Sequence, residues 1–418
     1  MARLSGRRPS AAPLFRQQPS FALFWSSRVL STLALHMQTV AVGWQLYTLT
    51  GSALDLGLVG LAQFIPTVVL TLAAGQVADR YDRRVVVAAC HVAEAAAAAA
   101  LAVGTVGGWL NRESILGLVT ILGAARAFEN PARAALVPRL VPAALISRAI
   151  ASVTSAGQAA RIIGPALGGA LYEVGPTTVY ATVTALYLVS GGIVAIVRDV
   201  ERALPRQDVT VASLFSGIAF ILRRRLVLGA LSLDLFAVLL GGATALLPIY
   251  ARDILGTGPG GLGLLRAAPA CGALAMSVAL TRRPVERGAG PAFFVSVFVY
   301  GAATIVFGVS TGLLLSLAAL GVLGASDLLS VVIRQSLVQI RTPDDMRGRV
   351  SAVHSLFTGT SNQLGEFESG LLAALFGAVP AVLIGGIGTI VVAALWMYRF
   401  PELRRFELAD AHSSGDRL

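Results

Sequence analysis

Gly75-Gln-Val-Ala-Asp-Arg-Tyr-Asp-Arg-Arg84 is the stretch that decides the fold. It sets Asp79, Arg80, Asp82, Arg83 and Arg84 between two long apolar runs. Charges packed this closely do not lie in hydrocarbon, so the stretch reads as a turn at a membrane face, with its arginines on the cytoplasmic side. Working outward from it, apolar segments of membrane-crossing length recur along the chain. They fall at 21–49, 53–78, 84–107, 113–137, 147–172 and 175–197, then at 226–252, 259–281, 291–309, 312–338, 350–373 and 379–399. The fold class expected is therefore all-α and integral to the membrane, with twelve transmembrane helices.

Composition agrees. Hydrophobic residues make up 56% of the 418 and charged residues 13%, the balance of a polytopic membrane protein. A net charge of +11 would suit a nucleic-acid binder, but the placement of the charge excludes that. All 33 basic residues are arginine, which stays protonated, so a proton relay would have to use carboxylates or histidines. Arg112 and Arg252 alone fall in one set of loops, and six arginines (Arg28, Arg126, Arg133, Arg161, Arg266, Arg334) fall inside spans. Every other arginine belongs to the opposite loops or the tails. By the positive-inside rule both termini are expected in the cytoplasm, the membrane being a bacterial inner membrane. Cys90 and Cys271 lie far apart inside apolar runs and read as packing residues.

Residues 198–225 form the one long polar interruption, within which 213–222 is mildly amphipathic and is expected along the membrane surface. This gives an arm (1–20), a six-helix bundle (21–197), a central loop (198–225), a second six-helix bundle (226–399) and a tail (400–418). The arm, with no cleavable signal peptide visible in it, and the tail both read as cytoplasmic. An internal repeat supports the division. At an offset of 201 residues Arg133 falls on Arg334, Pro142 on Pro343, Arg148 on Arg349, Gly164 on Gly365 and Gly169 on Gly370. Parallel halves of this kind place a substrate site between them near the bilayer midplane.

The spacing of Gly75, Asp79, Arg80, Arg83 and Arg84 resembles the loop signature of the major facilitator superfamily, between its second and third helices. Gly157 with Gly164-Pro165-Ala-Leu-Gly168-Gly169 resembles that superfamily's exporter motif. Gly164 and Gly168, four residues apart, let another backbone approach, and Pro165 permits a bend. Leu49-Thr-Gly-Ser52, Asn130-Pro-Ala-Arg133 and Asp344-Asp-Met-Arg-Gly-Arg349 resemble the branch that holds the enterobactin exporter. The resemblance implies alternating access with an export bias. It also implies a latch in which Asp79 meets the start of the eleventh helix and Arg347 and Arg349, closing the cytoplasmic side.

Polar groups inside spans are candidate functional sites. Arg126, Glu129, Asn130 and Arg133 share one helical face, with Arg161 as a partner for Glu129. Arg133 reads as structural, whereas for Arg126 and Glu129 an ion-pair network and a functional site stand level. His91 and Glu94 lie one turn apart, as a proton site or a packing contact, and His36 lies midspan in the first helix. Glu366, Asp327, Glu129 and Asp234 are the candidate proton carriers, since a carboxylate in a partly dry cavity can exchange protons near neutral pH. Phosphate loops, nucleophile elbows and metal-spaced His/Cys sets are absent, so the chain reads as no enzyme and as needing no cofactor or metal. The functional expectation is a monomeric secondary-active exporter of amphipathic small molecules such as drugs or siderophores, by proton antiport. The alternatives are a lipid or lysophospholipid transporter and a non-transporting membrane sensor.

Overall fold

The computed structural model describes residues 15, 18–198, 211–285 and 287–407, so most of the expected arm, the middle of the central loop and the end of the tail lie outside the described residues. Among those described, twelve long helical elements follow one another. The first six are α1 (Pro19–Thr50), α2 (Ala53–Arg80), α3 (Arg83–Val106), α4 (Arg112–Leu140), α5 (Ile146–Val174) and α6 (Pro176–Ala195). After a surface helix (Val211–Arg223) come α7 (Arg225–Ile254), α8 (Gly258–Arg282) and α9 (Ala289–Val309). The last three are α10 (Leu313–Arg341), α11 (Asp344–Phe376) and α12 (Ala378–Arg399).

Eight of the twelve are long and apolar enough to cross a membrane on their own, and α4 with α5 qualify only together, across a 113° bend. The four that fall short, α1, α4, α5 and α11, are 29 to 33 residues long and carry His36, Arg126, Glu129, Arg161 and Glu366 among the polar groups singled out above. At 1.5 Å per residue each has ample length to span, so the shortfall is one of polarity.

The turns are built locally. Gly51 takes a left-handed φ of 61° after α1, and the Ser52 side chain caps α2. Asp82 caps α3 by accepting from the Arg84 N–H at 2.9 Å. The Arg84 guanidinium then donates to the carbonyl of Val197 at 2.6 Å, tying the charged turn to the end of α6. The Arg84 guanidinium is also ion-paired with the Asp82 carboxylate at 2.5 Å, and its hydrogen bonds hold that carboxyl below its ordinary range.

In the first half α1 packs on α5 and α6, α3 lies against α4 and α6, and α2 lies on α4. The second half repeats this scheme, with α7 on α11 and α12, α9 on α10 and α12, and α8 on α10. Two seams join the halves, α5 with α8 and α2 with α11. The glycines aligned by the repeat occupy equivalent places. A Cβ on Gly164 would meet the Cβ of His36 in α1 at 2.7 Å, and one on Gly365 would meet Leu239 O in α7 at 2.8 Å. Gly169 approaches Gly263 of α8 as Gly370 approaches Gly57 of α2.

One span departs from expectation. α7 is not continuous, because it breaks after Leu240 at Gly241-Gly242 and proceeds through a 3-10 turn (Ala243–Leu246) to a π turn (Tyr250–Ile254). The break is satisfied internally: Tyr300 of α9 donates its hydroxyl to the Gly241 carbonyl at 3.1 Å. The surface helix also does more than rest on the bilayer. Its Gly217 faces the Arg349 carbonyl and Val353 of α11, so it docks on the second half while Phe215 and Leu222 remain exposed.

Candidate functional site

The two seams are tight at one end and open at the other. Away from the arginine-rich face, a Cβ on Gly370 would sit 2.6 Å from the Gly57 Cα, and one on Gly60 would sit 2.9 Å from the Gln363 carbonyl and the Glu366 carboxylate. Across the other seam Glu173, at the end of α5, accepts from the Gly260 N–H in the first turn of α8 at 3.2 Å. Tyr47 of α1 donates to Asp253 of α7, and Arg252 reaches the Tyr47 carbonyl at 3.3 Å with its guanidinium over the Tyr47 ring. Arg112 is held by Asp55 at 2.6 Å. Arg252 thus joins the two halves at this face, while Arg112 braces α4 against α2 within the first half.

At the arginine-rich end the helices part. A Cβ on Gly75 or Gly157 would meet nothing within 4 Å. Asp79 is exposed and has no hydrogen bond or ion pair among the described residues, and Arg80 is exposed beside it. Arg347 donates to the Gln339 carbonyl of α10 at 3.4 Å, and Arg349 to Ser216 of the surface helix at 3.4 Å. The Asp79 latch is not made in this conformer. Arg83 folds back on the Ala78 carbonyl at 3.2 Å.

Between these ends lies a charged cavity. His36 of α1 is within electrostatic reach of Arg161, Arg126 and Arg266, which come from three other helices. Asp327 is within reach of Arg161, and Glu366 of Arg266. Arg266 extends to α1, where a Cβ on Gly43 would lie 3.5 Å from its Nη2. Cations outnumber carboxylates here, so the cavity suits a molecule rich in acceptor oxygens or carrying negative charge.

Beside the cavity α3 and α4 bury a second cluster. His91, Glu94 and Glu129 bring ligand atoms within 4.8 Å of one another, all three residues buried. Glu129 pairs with Arg133 at 2.6 Å and stands 3.4 Å from His91 Nε2. Glu94 lies 3.8 Å from Arg126, which also donates to Gln63 of α2 at 2.7 Å. His91 Nδ1 faces Ser190 of α6 at 3.1 Å. A metal ion would bring positive charge where Arg126 and Arg133 already supply it, so the set suits a proton better than a cation.

Several sequence expectations are corrected. Arg161 is not the partner of Glu129; Arg133 and His91 are, and Arg161 faces the cavity instead. Asp234 is ion-paired with Arg334 of α10, both buried, which makes a structural role the natural one. Cys90 is buried as expected, but Cys271 is exposed. The sequence reading missed Tyr47, Asp253 and Glu173 altogether and gave Arg266 no role. The available signal was Arg266 lying alone within a span, and Glu173 lying just ahead of the Gly175-Pro176 turn.

Comparison with known proteins agrees with this architecture. The family model described as transmembrane secretion effector matches residues 9–417. The chain belongs to this family of the major facilitator superfamily. Among its superfamily relatives, the MFS-type transporter YfiS of Bacillus subtilis (strain 168) is 26% identical over 96% of this chain and 99% of its own length. The enterobactin exporter EntS of Citrobacter koseri is 26% identical over 94% of each. Among solved structures, an inward-facing, unoccupied bacterial homolog of the human lysosomal transporter Spinster superposes with a TM-score of 0.76 at 12% identity, over 95% of this chain and 99% of that one. A D-xylose-proton symporter superposes with a TM-score of 0.72 at 14% identity, over 93% and 99%. This superfamily protein is thus a multi-pass membrane transporter, as the resemblance implied.

Proposed function

We propose that this transporter exports an acceptor-rich or anionic amphipathic molecule, of which a catecholate siderophore is the leading example, across a bacterial inner membrane in exchange for protons. The observation that carries the reading is the set of arginines gathered between the halves, whose seams are packed tight at Gly57 and Gly370 and leave open space at Gly75 and Gly157 of the arginine-rich end. The positive-inside rule assigns that end and both termini to the cytoplasm, so the cavity stands where an exporter loads. The exporter relatives and the Gly164–Gly169 motif support the direction. Arg161 and Arg266 are free to hold cargo, since neither is ion-paired at contact distance among the described residues.

The α3–α4 cluster supplies a proton site separate from the cargo. An ion-paired Glu129 is a deprotonated one, the form an antiporter holds while cargo loads. Protonation of Glu129 from the far side, once the cavity has turned over, would release Arg133 from it. Asp327 and Glu366, each facing an arginine across the cavity, are the alternative carriers.

Purified protein in proteoliposomes tests both clauses. Uptake of a catecholate siderophore should rise with an imposed pH gradient and fall in the Arg161→Gln and Arg266→Gln variants. Glu129→Gln and Glu94→Gln should lose uphill flux while keeping downhill exchange. Flux indifferent to the pH gradient would remove the antiport clause, and a cavity that moves only lysophospholipid would replace the cargo, since the same arginines fit an anionic headgroup.

A further inference from the structure

A second basic site lies outside the transport cavity, at the corner where the surface helix meets α7. Arg223, Arg224, Arg225, Arg341 and Arg405 line a hollow of about 500 Å³, with Glu402 and Glu407 as the acidic residues at its wall. None of the five arginines is in an ion pair within 4.0 Å among the described residues. Arg224 is held over the Phe220 ring at 5.6 Å and Arg341 over the Phe406 ring at 5.7 Å, which positions their guanidinium planes without neutralising them. Five positive groups against two negative ones leave the hollow strongly cationic, and Leu226, Val227 and Phe406 give it an apolar side.

Its height in the bilayer is set by the fold. Arg225 opens α7 and Arg341 closes α10, so the hollow sits where those helices leave the hydrocarbon on the arginine-rich face. That is the level of phospholipid headgroups, and basic pockets between helices on this side of a membrane recognise anionic ones. Guanidinium forks match phosphate oxygens in pairs. Its lining residues come from the end of the surface helix, the start of α7, the end of α10 and the segment after α12, none of which forms either seam.

We propose that this hollow binds the phosphate of an anionic phospholipid, taking the headgroup from the cytoplasmic leaflet and leaving the acyl chains in the bilayer. It is a resident-lipid site rather than a second cargo site, because the charged cavity between the halves shares none of its residues. The proposal rests on the membrane orientation given above and not on the identity of the cargo.

The full-length protein in neutral detergent, titrated with phosphatidylglycerol while lipid-bound species are counted by native mass spectrometry, tests it without any transport measurement. Phosphatidylglycerol should bind in preference to phosphatidylcholine and should raise the thermal unfolding midpoint. The R224Q/R341Q/R405Q variant should bind it about a hundredfold more weakly, each arginine near an anionic surface counting for roughly fivefold. The single R405Q variant, changed at an exposed position, should show about a fivefold loss and guards against misfolding of the triple variant. Binding should weaken with added salt. Equal retention of phosphatidylcholine, or undiminished binding in R405Q and the triple variant, would overturn the proposal. Inorganic phosphate at millimolar concentration reproducing the thermal shift would overturn the lipid source and leave a soluble anion.

Discussion

The two ends of the interface between the halves use the same chemistry and stand in opposite states. At the closed end a carboxylate from the last turn of α5, Glu173, meets the N-terminus of α8. At the open end Asp79, in the last turn of α2, points at solvent, and the N-terminus of α11 that it was expected to meet lies apart from it. Each arrangement sets a carboxylate in the last turn of one helix against the first turn of the helix that faces it across a seam, one at each end of the interface. A helix N-terminus carries partial positive charge, so each carboxylate gains about 0.3–1 kcal/mol when its end closes and forgoes it when the end opens. Of the two contacts, only the one at Glu173 is made in this structure. The closed end adds what the open end lacks, the Tyr47–Asp253–Arg252 contact between α1 and α7.

The sharpest way to break the comparison is to crowd the closed seam. In Gly370→Leu the new side chain has no room against Gly57, and overpacking of this kind costs about 1–3 kcal/mol. The closed end should be forced apart, seen as longer spin-label distances between the outer ends of α2 and α11. Gly75→Leu should leave this conformer unchanged and hinder only its conversion, because space is open around Gly75. Equal effects from both substitutions would mean that the seams do not differ.

Next in size is Tyr47→Phe, which removes a hydrogen bond to a carboxylate, a loss of about 1.5–3 kcal/mol before exposure is discounted. Accessibility of a cysteine placed at the outer end of α7 should increase severalfold. Glu173→Gln should act in the same direction by roughly two- to fivefold, since only the charge-to-dipole part is lost. The smallest effect in the present conformer belongs to Asp79→Asn, which has no contact here to lose. Its action falls on a state in which that contact is made, so cysteine labelling of the arginine-rich ends of α2 and α11 should rise modestly. If Asp79→Asn instead lowered that labelling, the paired-latch reading would fail.

Much of the site was legible in one dimension because membrane insertion penalises charge residue by residue. Arg126, Glu129, Glu94 and Asp327 stood out as polar groups in apolar spans, and all four are placed inside the molecule. Their partners were not legible. Spacing on α4 brought Arg133 within reach of Glu129, yet the pairing with Arg161 was expected, because helix rotation is not written in the spacing. Asp234 and Arg334 are a hundred residues apart, and nothing in either neighbourhood announces that α7 and α10 cross there. The break in α7 was foreshadowed only by Gly241-Gly242, a pair that elsewhere in this glycine-rich chain passes through unbroken helix, as Gly168-Gly169 does.

By itself the sequence determined that the chain crosses a membrane repeatedly, where the spans fall, that two related halves exist, and that the charged turn at Gly75–Arg84 lies at a membrane face. Hydrophobicity, charge and repetition are properties of the linear chain, and the bilayer reads them span by span. Only the tertiary structure decided which end of the seams is shut, which carboxylate holds which arginine, and that Asp82 and Arg84 rather than Asp79 build the turn in this state. Those outcomes depend on how the two halves meet across α5–α8 and α2–α11, which no single segment of sequence specifies. The sequence carries a carboxylate near each end of the seams, and the fold shows that Glu173 makes its contact while Asp79 makes none among the described residues.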